Sequence, residues 1–177
     1  MTRSTNRKQG DFMKKSIVAI LVAVGILFLI GLGSVSFFSG KYNSFVAMGQ
    51  NVDKSWSQVE NVLQRRNDLI PNLVATVQGY AIQEQEVFIK VAQARNQAMA
   101  AKTIDDKIKA NQAVSGALFT LMATVERYPE IKSNQNFMAL QDELAGTENR
   151  IAVERKRYND SVQEYNTFAK SFPNNML

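Results

Sequence analysis

The sequence predicts an all-α protein, with a single N-terminal transmembrane helix followed by an antiparallel four-helix bundle. Three observations predict it. Ser16 to Gly40 holds 25 consecutive residues without a charge. After Gly40, glycine occurs only at Gly49, Gly79, Gly116 and Gly146, and proline only at Pro71, Pro129 and Pro173. Such sparse punctuation favours long helices. Apolar side chains also recur at alternating spacings of four and three, the seam of helices packed at small crossing angles. The chain therefore divides into a short basic segment (1–15), the membrane helix (16–40) and the bundle (41–177).

The uncharged stretch comes first. As a helix it reaches about 37 Å, enough to cross a hydrocarbon core of about 30 Å. A cleaved secretory signal is the competing reading. Its apolar core is shorter, about 7–15 residues, although Ser34-Val35-Ser36 resembles a cleavage site. Without cysteine a lipidated lipoprotein is excluded, and length favours an uncleaved anchor. Arg3, Arg7, Lys8, Lys14 and Lys15 precede the span against Asp11, and only Lys41 follows closely. By the positive-inside tendency the N-terminus is expected in the cytoplasm and the bundle outside the bacterial inner membrane. Met13-Lys14-Lys15 also reads as a natural start, with residues 1–12 as an upstream extension.

Charge and composition exclude several functions. The net charge is +5, but residues 1–40 hold five of the 21 basic and one of the 16 acidic side chains. The bundle is left nearly neutral, so nucleic acid is not expected as a partner. Cysteine and histidine are both absent. That removes thiol nucleophiles, Ser-His-Asp chemistry and the usual zinc or non-haem iron sites. No cofactor is expected.

The first apolar seam runs through Val52, Trp56, Val59, Leu63, Arg66, Ile70, Leu73, Val77, Tyr80, Glu84, Val87, Val91, Ala94 and Ala98 without a phase slip. Pro71 falls inside it, and proline belongs in a first turn rather than a helix interior. Either the helix kinks there, or one helix ends near Arg66 and another begins near Asp68. Segments of about 28, 30, 25 and 35 residues would match each other in an antiparallel bundle, so the break is favoured. The first of them can be continuous with the membrane helix through Lys41 to Ala47. A further helix is expected from about Ile104 to Tyr128, capped by Thr103 and stopped by Pro129. Pro129 to Gln135 reads as a polar loop. The last helix starts near Asn136 and stops at Pro173, with Phe137, Leu144, Thr147, Ile151, Glu154, Tyr158, Ser161, Tyr165, Phe168 and Phe172 in its seam.

WSQVENVLQRRNDLIPNLVATVQGY at Trp56 to Tyr80, QARN at Gln93 to Asn96, and the stretch from Tyr128 to Asn175 beginning YPEIKSNQNF and ending FAKSFPNN together resemble the LemA family. The likeness covers essentially everything after the anchor. It implies one N-terminal membrane helix and a four-helix bundle, and supplies no activity. It also implies a short hydrophobic tail after FPNN, where this sequence ends at Leu177. Many members carry histidine where Gln83 stands, which speaks against a metal or acid–base role there.

Arg66, Glu84 and Glu154 occupy seam positions, where a charge is costly unless paired. They form either a ligand-binding polar cluster or interhelical ion pairs that fix register, and pairing is the favoured reading. Asp142, Glu143, Glu148 and Glu154 read as solvated helix faces, because bundle di-metal sites use Glu-x-x-His pairs. Tyr158-Asn159 and Tyr165-Asn166 repeat at seven residues. With Asn72 and Asn149, Asn159 and Asn166 make either a stripe for a partner helix or, as favoured, interhelical hydrogen bonds. Trp56, Tyr80, Tyr128, Tyr158 and Tyr165 are expected in the core. Ala19 and Ala23 form a weak small-residue pair in the membrane helix.

The function expected from these features is display at a membrane. A non-enzymatic bundle, confined to the bilayer, would act by self-assembly or on other envelope proteins. Two alternatives stand beside it: a carboxylate-dependent enzyme using Glu84 or Glu154, and a lipid or cell-wall binder with a polar or aromatic groove.

Overall fold

The structure is a computed structural model that describes residues 3–81 and 83–176, with side chains from residue 21 onward. Arg3, Arg7, Lys8, Lys14, Lys15 and Ala19, on which the orientation and small-pair readings rest, lie outside the described side chains, as does Leu177. Among the described residues the fold is all-α. The helices are α1 (Arg3–Gln78), α2 (Gln85–Ala100), α3 (Ile104–Val125), the single turn α4 (Pro129–Lys132) and α5 (Gln135–Lys170), followed by a 3-10 turn at Asn174–Met176. The chain forms two compact units, Met1–Gln50 with Tyr165–Leu177, and Asn51–Glu164.

In the first unit, α1 holds a stretch long and apolar enough to cross a membrane. None of residues 21–40 is buried, as befits side chains whose partner would be lipid. Beyond the apolar stretch, Phe45 meets Tyr165 and Phe168 edge-on, at centroid distances of 6.0 and 5.0 Å. Tyr165 also packs beside Gly49, where a Cβ would meet its ring at an ordinary van der Waals distance of 3.9 Å.

The second unit is the bundle. Its core joins Ile70, Leu73 and Val77 of α1, Phe88 and Val91 of α2, Leu118, Leu121 and Val125 of α3, and Phe137 and Leu144 at the start of α5. Each such side chain, fully buried, contributes about 1.5–3 kcal/mol. Trp56 packs on Tyr158 at 5.2 Å, while Arg65 pairs with Glu143. Early α1 residues thus meet late α5 residues, and the two helices run antiparallel.

The break expected near Pro71 is corrected. α1 continues through Pro71 to Gln78, and the chain turns at Gly79 to Glu84 instead. Proline has no N–H, so the carbonyl four residues earlier loses its helical donor. That carbonyl belongs to Asn67, and Arg95 of α2 donates its Nε–H to it at 2.9 Å. An orphaned backbone acceptor would cost about 1–3 kcal/mol. The guanidinium removes that cost, so the apolar seam can carry the helix on. The bundle segments are consequently unequal, and α2 has only 16 residues.

Two smaller expectations change. The loop at Pro129 to Gln135 contains α4, begun by Pro129 in its first turn. α5 is capped by Asn134, whose Oδ1 accepts the N–H groups of Asn136 and Phe137 at 2.9 and 3.1 Å. It ends at Lys170, before Pro173. Thr103 caps α3 as expected, accepting the Asp106 N–H at 3.1 Å while its hydroxyl donates to that carboxylate.

Candidate functional site

Polar side chains gather at two places in the bundle, and each contains one of the seam charges. The first centre is Arg66. The α1 seam turns it inward, where its side chain is 5% exposed. Its Nη1 donates to Asn111 Oδ1 and Ser115 Oγ on α3, both at 3.0 Å. The same nitrogen pairs with Glu148 Oε2 of α5 at 2.8 Å, and Nε has no protein partner. Burial pushes the guanidinium pKa below its ordinary value, and the Glu148 charge opposes that shift. The arginine still carries its charge, as guanidinium groups in proteins do, so this centre stitches three helices together rather than moving protons.

Next to it lies a pocket of about 340 Å³, lined in part by Glu60, Gln64, Asn67, Met99, Lys107 and Asn111. Lys107 hydrogen-bonds Glu60 across the pocket wall and holds that carboxyl below its usual range, against the opposing effect of burial. The lining is polar, and its one pronounced ion pair is self-neutralised.

The second centre is Glu84. It sits at the N-cap position of α2, but its side chain does not cap. Instead Oε1 accepts from Arg127 Nη2 at 2.9 Å and from the Tyr128 hydroxyl at 3.1 Å. Accepting that proton raises the Tyr128 pKa, with a smaller contribution from burial. Nearby, Asn134 Nδ2 donates to the Tyr80 hydroxyl at 3.0 Å. The turn between α1 and α2 is thereby tied to the connection between α3 and α5.

Glu154 belongs to neither centre. Its carboxylate takes Arg157 Nη1 of the same helix at 2.8 Å. Arg66, Glu84 and Glu154 share no partner, so the structure does not bring the three seam charges together. Asn159 and Asn166 are both exposed. Tyr80, expected in the core, and Phe172, at a seam position, are exposed as well. Glu143 and Glu148 keep solvated side chains, 39% and 54% exposed, and in addition pair with Arg65 and Arg66. Among the described residues no three metal-ligating side chains cluster.

Residues with defined roles that escaped the sequence reading include Arg95, Lys107, Asn111, Ser115, Arg127 and Asn134. Arg95 had a signal. A proline inside an unbroken seam implies an unpaired carbonyl one turn back, and a long donor on the next helix is the natural partner.

A profile described as LemA family matches residues 55–177. The magnetosome protein MamQ of Magnetospirillum gryphiswaldense is 27% identical over 187 aligned residues, covering 91% of this chain and 68% of that protein. Magnetosome proteins MamQ 2 and MamQ 1 of Paramagnetospirillum magneticum are each 28% identical over 163 residues, covering 77% of this chain. The chain spans 60% of the length of each of those two.

Proposed function

The chain belongs to the LemA family, and from that premise we propose that it is a membrane-anchored, non-enzymatic helical bundle acting by protein–protein interaction. One observation carries the reading. An apolar stretch with no protein cover, residues 21–40, is joined in one chain to a bundle whose interior charge is taken up by its own side chains. Anchoring confines the bundle to a bilayer and raises its effective concentration for partners on the same surface. The partners are further copies of the chain or other envelope proteins. The relatives are named for a structure, the magnetosome, rather than for a reaction, which supports an assembly role. The topology that fits the flanking charge is an inner-membrane span with the N-terminus cytoplasmic and the bundle outside.

Photo-crosslinkers at the exposed Asn159 and Asn166 of the full-length protein in cells test this, together with particle mass in mild detergent. A defined homomultimer or a reproducible crosslinked protein is expected. A monomer that crosslinks to nothing would sink the interaction reading. Loss of the cellular phenotype in Glu84→Gln or Glu154→Gln proteins that keep their fold and partners would favour the carboxylate enzyme instead.

A further inference from the structure

The most exposed large apolar side chains outside the span are Phe172, Phe119 and Met176, at 81%, 76% and 74%. Phe119 stands alone on α3. Phe172 and Met176 do not, because they belong to the unit that holds the apolar stretch. There Lys41 Nζ lies 5.6 Å from the Phe37 ring and 5.5 Å from the Phe168 ring. Phe168 also meets Phe45. Phe168, near the end of α5, therefore sits beside Lys41, the first residue after the apolar stretch.

The segment that follows is built. Asn174 is buried, and its Nδ2 donates to the Phe168 carbonyl and to Ser171 Oγ, both at 3.0 Å. The turn leaves Phe172 and Met176 outward, a few residues past Phe168, which lies beside Lys41 just beyond the end of the apolar stretch. Exposed apolar side chains such as Phe seat at the boundary of acyl chains and headgroups, tyrosine rings favour the interface, and lysines there reach the lipid phosphates. Phe37, Phe38 and Tyr42 are exposed on the α1 side, with Lys41 among them and Lys170 at the end of α5.

We propose that the turn Phe172–Met176 is a second membrane contact, seated in the interface of the bilayer that the anchor spans. Its partner is a phospholipid surface. The inference rests on the anchor reading of the apolar stretch. Its consequence is that both helices of the α1–α5 pair in this unit are held at the membrane, α1 through the span and α5 through the turn.

The chain has no cysteine, so single spin labels can be placed in the full-length protein, reconstituted in phosphatidylcholine–phosphatidylglycerol vesicles. The sites are Asn175→Cys, which leaves Phe172 and Met176 intact, Phe119→Cys as a water-exposed reference, and Leu29→Cys in the span. A water-soluble collision agent should reach position 175 several-fold less than position 119, and adding Phe172→Glu should restore access. Equal access at 175 and 119, with 29 protected, overturns the second contact and spares the anchor. Free access at 29 overturns the anchor and this inference with it.

Discussion

Arg66 and Glu84 lie in one uninterrupted seam of the sequence, yet the bundle treats them in opposite ways. Arg66 is enclosed, bonded to two neutral side chains, and paired with a carboxylate that is itself 54% exposed. Glu84 lies in a turn, half-buried, beside an arginine that reaches in from solvent. The seam specifies which side of the helix a residue occupies. Whether that side is covered depends on where the helix stops, and α1 stops beyond Pro71 because Arg95 supplies the donor that Pro71 removes. The buried charge therefore serves cohesion in mid-bundle, and the half-exposed one serves the joining of two turns.

The sharpest way to break the contrast is to weaken the enclosure of Arg66. Asn111→Leu removes its most buried neutral acceptor, leaving Ser115 and Glu148, and should cost about 1.5–3 kcal/mol, as for a hydrogen bond to a charged group. Arg66→Met combined with Asn111→Leu should recover most of that loss, since a well-packed apolar pair often replaces a buried polar one without cost. Urea unfolding of the full chain in mild detergent, followed by circular dichroism, reads both. An additive double variant would mean that the arginine is not truly enclosed.

A middle-sized effect concerns the helix that separates the two centres. Arg95→Met orphans the Asn67 carbonyl and should destabilise by about 1–3 kcal/mol. In a Pro71→Ala background the helical N–H returns, and the same change should cost little. A coupling of about 1 kcal/mol or more in the double-mutant cycle is expected. Independent effects would remove Arg95 as the reason that α1 passes Pro71.

The smallest effect is at Glu84. Glu84→Gln should cost no more than about 1 kcal/mol, as for an exposed pair. It should also bring the Tyr128 pKa down towards its ordinary value. The sign follows from the raised folded pKa. This hydrogen bond stabilises fully below the unfolded tyrosine pKa, near 10, and is lost as pH rises through the higher folded value. Ultraviolet titration of the tyrosines compares variant and parent. An unchanged Tyr128 titration would mean that its hydroxyl does not donate to Glu84.

Much of this protein was legible in its sequence, and particular residues show why. Thr103 is a cap whatever the bundle does, because capping is local to one turn. Val59, Leu73, Val91, Leu121 and Ile151 are buried as their spacing predicts, because a helix seam repeats with a fixed period. The LemA resemblance agrees with the matched profile over residues 55–177. The centres were less legible. Arg66 announced itself as a costly charge in an apolar row, but Asn111, Ser115 and Glu148 carry no mark that would assign them to it. The pairings of Glu143 and Glu148 were not legible because their partners sit on a helix some 80 positions earlier in the chain.

By itself the sequence determined the helical class, the apolar span, the buried faces and the local caps. All of these depend on interactions within a few turns or on the contrast between apolar and polar side chains. The tertiary structure alone decided where α1 ends, which acceptors enclose Arg66, and that Phe168 returns beside Lys41. Those outcomes turn on single donors and acceptors meeting across helices. Such a meeting depends on the relative rotation and rise of two packed surfaces, which no periodicity along one chain encodes.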